Sequence, residues 1–158
     1  MLFRSTVANG KTVTIAGLVL GGTTASRYSL TQPTTTANIT AATLTVNGIT
    51  SNNKTYDGLA SATSLLNTGS ASLSGVIGAD VVTLVTGSAT GTFPDKNVGT
   101  GRTVTVAGLT LTGTDAANYS LTQPTTTANI TAKGLTVSGV TANDKTYDRT
   151  ATATLNTG

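Results

Sequence analysis

The 158-residue chain has no cysteine, no histidine, no tryptophan and no glutamate; all six of its acids are aspartate. Each absence removes a class of function. Without cysteine there is neither a disulfide nor a thiolate metal site. Without histidine, cysteine or glutamate, the usual groups for acid–base and nucleophilic chemistry are missing. No glycine-rich phosphate loop opens a helix. The expectation is therefore a non-enzymatic chain with no cofactor. Charge is scarce as well, at 9% of residues against about a quarter in an ordinary domain. The basic residues Arg4, Lys11, Arg27, Lys54, Lys96, Arg102, Lys133, Lys145 and Arg149 are scattered, so the net charge of +3 makes no nucleic-acid footprint. No run approaches the roughly 18 apolar residues of a membrane span, which argues against membrane insertion by this segment. Aromatics, at 4%, leave little from which to build a sugar-stacking platform.

Polarity comes instead from threonine, which fills 38 positions, with serine, asparagine and glycine. Threonine is β-branched and suits a pleated, half-exposed surface. Val, Leu and Ile alternate with it at period two, the pattern of half-buried strands. Composition and periodicity together predict an all-β fold rather than a disordered polar chain.

The chain also repeats itself. Tyr28 to Ala41 reads YSLTQPTTTANITA, and Tyr119 to Ala132, 91 positions later, reads the same fourteen residues. Gly10 to Leu20 (GKTVTIAGLVL) matches Gly101 to Leu111 (GRTVTVAGLTL) at the same spacing. That match places the apolar N-terminal stretch, which could pass for a signal peptide, inside a repeat as a strand pair. Tyr56 to Gly69 aligns with Tyr147 to Gly158, the second copy being two residues shorter. The expected organisation is tandem units of about 90 residues: residues 1–41 the back part of one unit, residues 42–132 a complete unit, and residues 133–158 the opening of a third. Both ends fall inside a unit, as in a fragment of a longer array.

Within residues 42–132, strands are expected at Leu44 and Val46, Ala62 to Leu66, Ala71 to Leu73, Val81 to Val85, Ala89 to Phe93, Thr103 to Val106, Leu109 to Leu111, Tyr119 to Thr122 and Thr126 to Thr131. Asn47-Gly48 marks a turn or bulge. Asp95 to Gly99 reads as a longer loop, and Asp115 to Asn118 as one helical turn. Gln123-Pro124 breaks the chain between two strands. Many short strands with frequent turns suggest a small β-sandwich-like unit.

Four motifs occur together: Lys54-Thr-Tyr-Asp-Gly58, Leu66-Asn-Thr-Gly69, Thr90-Gly-Thr-Phe-Pro-Asp-Lys-Asn-Val-Gly-Thr-Gly101 and Asn118-Tyr-Ser-Leu-Thr-Gln-Pro124. In combination they resemble the YDG-type repeats, relatives of the MBG repeats of large bacterial surface proteins. The resemblance covers nearly the whole chain. It implies an Ig-like or β-grasp-like unit within an extracellular stalk or adhesive shaft of a filamentous-haemagglutinin-like adhesin, secreted or on the bacterial cell surface. Its partners would be neighbouring repeats and a host or cell-surface glycan or protein. Tyr147-Asp148 departs from the pattern, since Arg149 follows where the first copy has Gly58.

The best-marked candidates are Tyr56, Asp57 and Gly58 with Tyr147 and Asp148. The plain reading is a core tyrosine beside an aspartate that closes a turn; carbohydrate contact is the sharper alternative. Lys54 and Lys145 recur beside Asn53 and Asp144. An isopeptide crosslink there would need a buried lysine near an acid, whereas a solvated lysine is the simpler expectation. Calcium at Asp80, Asp95 or Asp115 is a further, minor reading, since the ion takes six to eight oxygens and these acids are isolated in sequence. The Thr-x-Thr triplets are too interrupted for a flat ice-binding rank.

Overall fold

The computed structural model describes residues 5–156. Residues 1–4, at the head of the apolar N-terminal stretch, and residues 157–158, the end of the second Leu-Asn-Thr-Gly, lie outside the described residues. The all-β expectation holds: among the described residues the regular elements are fifteen short strands and three 3-10 turns. Below, the counterpart of a residue is the one 91 positions away in sequence.

The first pair is β1 (Ala8–Thr14) with β2 (Thr34–Ile39), antiparallel. The central segment follows with β3 (Ala42–Asn47), β4 (Thr50–Ser51), β5 (Lys54–Thr55), β6 (Leu66–Asn67) and β7 (Ser72–Ser74). It continues with β8 (Thr83–Val85), β9 (Thr90–Thr92), β10 (Gly99–Ala107), β11 (Thr110–Thr112), β12 (Tyr119–Leu121) and β13 (Thr125–Thr131). Residues beyond it form a two-stranded pair, β14 (Thr141–Ala142) with β15 (Leu155–Asn156).

Within the central segment the largest sheet runs β5-β13-β10-β9; a second runs β12-β3-β7, with β11-β8 and β4-β6 as separate pairs. Two pairings are parallel, β12 with β3 and β13 with β5. The sheets are therefore mixed. Period-two alternation assigns residues to faces but says nothing of strand direction. Both parallel contacts join the opening strands of the segment to its closing strands, at a sequence separation that only a folded domain brings together.

Alternation along β10 puts Val104 and Val106 on one face, both fully buried. Val104 packs with Ala62, Phe93, Ala128 and Ile130, against which Tyr56, Ala60, Leu65 and Leu66 lean. Val106 packs with Val46, Ile49 and Leu109, flanked by Leu66, Ala71, Leu73, Leu84, Ala89 and Leu121. Leu66 touches both clusters and joins them. Asn47-Gly48 turns as expected, with φ +81 at Gly48, where a Cβ would lie 2.1 Å from the Ser70 carbonyl oxygen.

Three expectations are corrected. Ala62 to Leu66 is not a strand: Thr63–Leu65 forms a 3-10 turn before β6. The two residues missing near Leu155 fall in this turn, which β14-β15 pairing does without. The loop expected at Asp95 to Gly99 is shorter, because Gly99 already belongs to β10. Gly10 to Leu20 is one strand rather than two, since β1 ends at Thr14. The cause is pairing. Leu18 to Leu20 are counterparts of residues at and before β11, which pairs with β8, and among the described residues no strand pairs with them. Tyr28 to Leu30 likewise repeat β12 with no strand beside them among the described residues: Tyr119 is 8% exposed, whereas Tyr28 is 71% exposed.

The same contrast gives a direct test. Leu44 is fully buried, whereas its counterpart Leu135 is 90% exposed. Leu44→Ala should lower the unfolding free energy by about 2–5 kcal/mol, and Leu135→Ala should stay within about 0.5 kcal/mol, in urea titrations of dilute protein. Equal losses would contradict the assignment of the core to the central segment.

Candidate functional site

The Tyr-Asp-Gly motif begins at the edge of the four-stranded sheet. Lys54 and Thr55 run parallel to Ile130 and Thr131, and the Tyr56 amide continues the ladder by donating to the Thr131 carbonyl at 2.8 Å. The Tyr56 ring is half-buried against the Phe93 cluster. Asp57 then closes a turn on its own side chain: Oδ1 accepts from the Leu59 amide at 2.9 Å, an Asx-turn. Gly58 sits inside that turn at φ +82, a conformation glycine adopts without steric cost.

Lys54 is where sequence reasoning misplaced a residue. It is not solvated: its side chain is 7% exposed and pairs with Asp57 at 2.7 Å. Its ammonium also donates to the carbonyls of Leu59 at 2.9 Å and Ser61 at 3.2 Å, so each N–H has an acceptor. The charge lies 6.0 Å from the Phe93 ring centroid, within cation–π range. The hydrogen bond from Lys54, and then the Leu59 amide, hold the Asp57 carboxyl below its ordinary value of 3.8. Beyond the turn, Phe93 donates to Ala60 and Ala62 donates to Gly91, both at 2.8 Å. The motif thus stitches an opening strand to both the closing strand and β9.

Residues 40–128, more than half of the chain, match the YDG domain family. The chain belongs to the YDG domain family. No curated protein and no solved structure matches it. In this chain Lys54 and Asp57 form a closure knot, with the Lys54 ammonium and the Asp57 Oδ1 engaged within the chain.

Tyr147 and Asp148 lie outside the matched residues but rebuild the same knot. Lys145 pairs with Asp148 at 2.7 Å and donates to the carbonyls of Thr150 at 3.1 Å and Thr152 at 2.9 Å. The Asp148 carboxylate accepts from the Thr150 amide at 3.0 Å. Arg149 occupies the Gly58 position with φ +66, so this position requires the left-handed conformation and the non-glycine residue carries the strain. The structure does not bring the two knots together, and Tyr147 is exposed.

The acids considered for calcium have other engagements. Asp95 pairs with Arg102 and accepts from the Asn97 amide at 2.8 Å. That amide, and then Arg102, lower its pKa. Asp115 accepts from the Val81 amide at 2.8 Å, and Asp80 from the Tyr119 hydroxyl at 2.7 Å. Among the described residues, no three such side chains converge as a metal site. Tyr119 also accepts from the Ile77 amide at 3.0 Å. Burial pushes its hydroxyl pKa up, opposed by that amide and reinforced by Asp80. This cluster lines a cleft of about 250 Å³ with Ser5, Val7, Ile39, Thr40, Ala42 and Asn118, and the Val7 amide donates to Asn118 Oδ1 across it at 3.0 Å. A second, open cleft lies beside Tyr56, lined also by Val98, Lys133 and Leu135.

Sequence reasoning passed over two side-chain amides. Gln123 uses both ends, accepting from the Leu109 amide at 3.1 Å and donating to its carbonyl at 2.8 Å. Asn129 Oδ1 accepts from the Gly101 amide at 2.7 Å, pinning a bulge in β10. Gln32 clasps Leu18 and Asn38 clasps Gly10 in the same way. Their recurrence in the fourteen-residue repeat was the available signal.

Two predictions follow the knot. Lys54→Met should cost about 1.5–3 kcal/mol, the range for hydrogen bonds that involve a charged group, measured by thermal unfolding; an unchanged midpoint would mean that the buried ammonium contributes nothing. The folded-state pKa values of Asp57, Asp95 and Asp148 are depressed. Their stabilisation is therefore complete above the ordinary value of 3.8 and is lost as pH falls from there through the lower folded values. Acid titration by circular dichroism should show this loss, and the double variant Asp57→Asn/Asp95→Asn should flatten it.

Proposed function

We propose that the chain is a non-catalytic, structural and adhesive segment of a secreted or cell-surface bacterial adhesin of the filamentous-haemagglutinin-like kind. Its YDG units of about 90 residues follow one another as small β-sandwich-like beads: residues 42–132 a complete unit, residues 1–41 the back part of the one before it and residues 133–158 the opening of the one after. They form a stalk that holds a distal binding region away from the cell.

One observation carries this reading. The β1–β2 pair repeats the β10–β13 pair bond for bond. Lys11 faces Ala37 as Arg102 faces Ala128, and Thr14 faces Thr34 as Thr105 faces Thr125. The register slips at the same place in both pairs, and Gln32 and Asn38 make the clasps of Gln123 and Asn129. A second YDG unit would supply such a pair immediately before residue 42. The short link between β2 and β3 and the Val7–Asn118 hydrogen bond support a joint with limited bending. The competing reading, a module whose own loops hold a glycan or protein, is less favoured because the Lys54 ammonium and Asp57 Oδ1 are bonded within the chain.

Surface labelling of the intact source cells with antibody to this chain should give signal at the surface or in the medium; purely intracellular protein would sink the proposal. On a glycan array the purified chain should show no saturable binding, and dose-dependent binding would move the reading to the glycan-binding module.

A further inference from the structure

The chain contains two asparagine–glycine pairs, Asn9-Gly10 and Asn47-Gly48. Asparagine is a thermolabile residue, and glycine after it makes it more so, because no side chain keeps the glycine nitrogen away from the asparagine Cγ. The glycine nitrogen gives up its proton and bonds to that Cγ. The bond from Cγ to the side-chain nitrogen breaks, and ammonia leaves. Water then opens the cyclic imide, at one carbonyl to give aspartate and at the other to give isoaspartate, in which the main chain runs through the side-chain carbons. Water is the one co-reactant, and nothing is oxidised or reduced.

The fold treats the two pairs differently. Asn9 and Gly10 lie where the register of β1 slips against β2, and the Gly10 amide donates to Asn38 Oδ1 at 2.9 Å. The proton that must leave is therefore held on an acceptor. Asn47 ends β3 and is exposed. Among the described residues, no hydrogen bond engages its side chain or the Gly48 amide. Nor does the turn depend on the carboxamide: its second copy has Ser138 in place of asparagine, and Gly139 there keeps φ +81, as at Gly48. We infer that Asn47 is a deamidation site of the folded protein, reacting ahead of Asn9, which the Asn38 clasp shields. The product is less stable than the parent. Buried Val46 and Ile49 flank the site, and Gly48 lies so close to Ser70 that one added carbon would stand 2.1 Å from its carbonyl oxygen. Isoaspartate lengthens the main chain at this turn, where there is no room for it.

The test is to warm the purified full-length chain at mildly alkaline pH and follow both sites by peptide mapping and mass spectrometry. In folded protein, conversion should run several-fold faster at Asn47 than at Asn9. In urea, where neither pair keeps its surroundings, the two rates should converge. Asn38→Ala should raise the Asn9 rate towards that of Asn47, whereas Asn38→Asp, which keeps an acceptor, should leave Asn9 slow. Asn47→Ser should leave the urea midpoint in place, and the isoaspartyl form should lower it. Equal rates at the two sites in folded protein, an Asn47 that stays intact while the urea-treated chain reacts, or an Asn9 rate indifferent to Asn38→Ala would each overturn the inference.

Discussion

A β-strand cannot satisfy its own backbone, and everything else in this structure follows from where each strand finds its neighbour. The same sequence YSL is strand β12 with a buried tyrosine where β3 lies alongside it, and irregular chain with an exposed tyrosine at Tyr28, where no described strand lies alongside it. Propensity is identical in the two places, so the difference belongs to tertiary pairing alone. The central segment is the part of the chain in which opening and closing strands are both present. There β10 buries two valines and Leu66 fuses two small apolar clusters into one core.

Because strands this short leave many backbone groups beyond the ladders, side chains take up the remainder. Gln123 presents an amide to Leu109 much as another strand would, and Asn129 holds the bulge at Gly101. Lys54 does the same with its charge, gathering two carbonyls and the Asp57 carboxylate over the Phe93 ring. The sparse charge of the chain is thus concentrated on closing turns, where a buried ammonium with acceptors for all its protons avoids the cost of an unpaired one.

Local features were legible in the residues. Pro124 separates β12 from β13 and Pro33 immediately precedes β2 at Thr34 to Ile39, Ala116–Asn118 form a single 3-10 turn, and Gly48 adopts the positive φ its turn demands. The role of Asp57 as the closer of a turn followed from its side-chain reach. The parallel pairings were not legible, because alternation encodes a face and not a neighbour. Nor was the burial of Lys54: its long apolar stem lets a charged residue enter a core when acceptors await its tip. Thr63–Leu65 misled because its apolar residues suit a strand and a tight turn equally.

The parallel pairings also decide how the unit responds to tension. The chain enters at the start of β3 and leaves at the end of β13, and each of these strands runs in the same direction as its neighbour, β12 or β5. A pull applied at the two exits draws β3 back along β12 and β13 forward along β5. All the hydrogen bonds of a pair are then loaded in shear together, rather than peeled open one after another from an end.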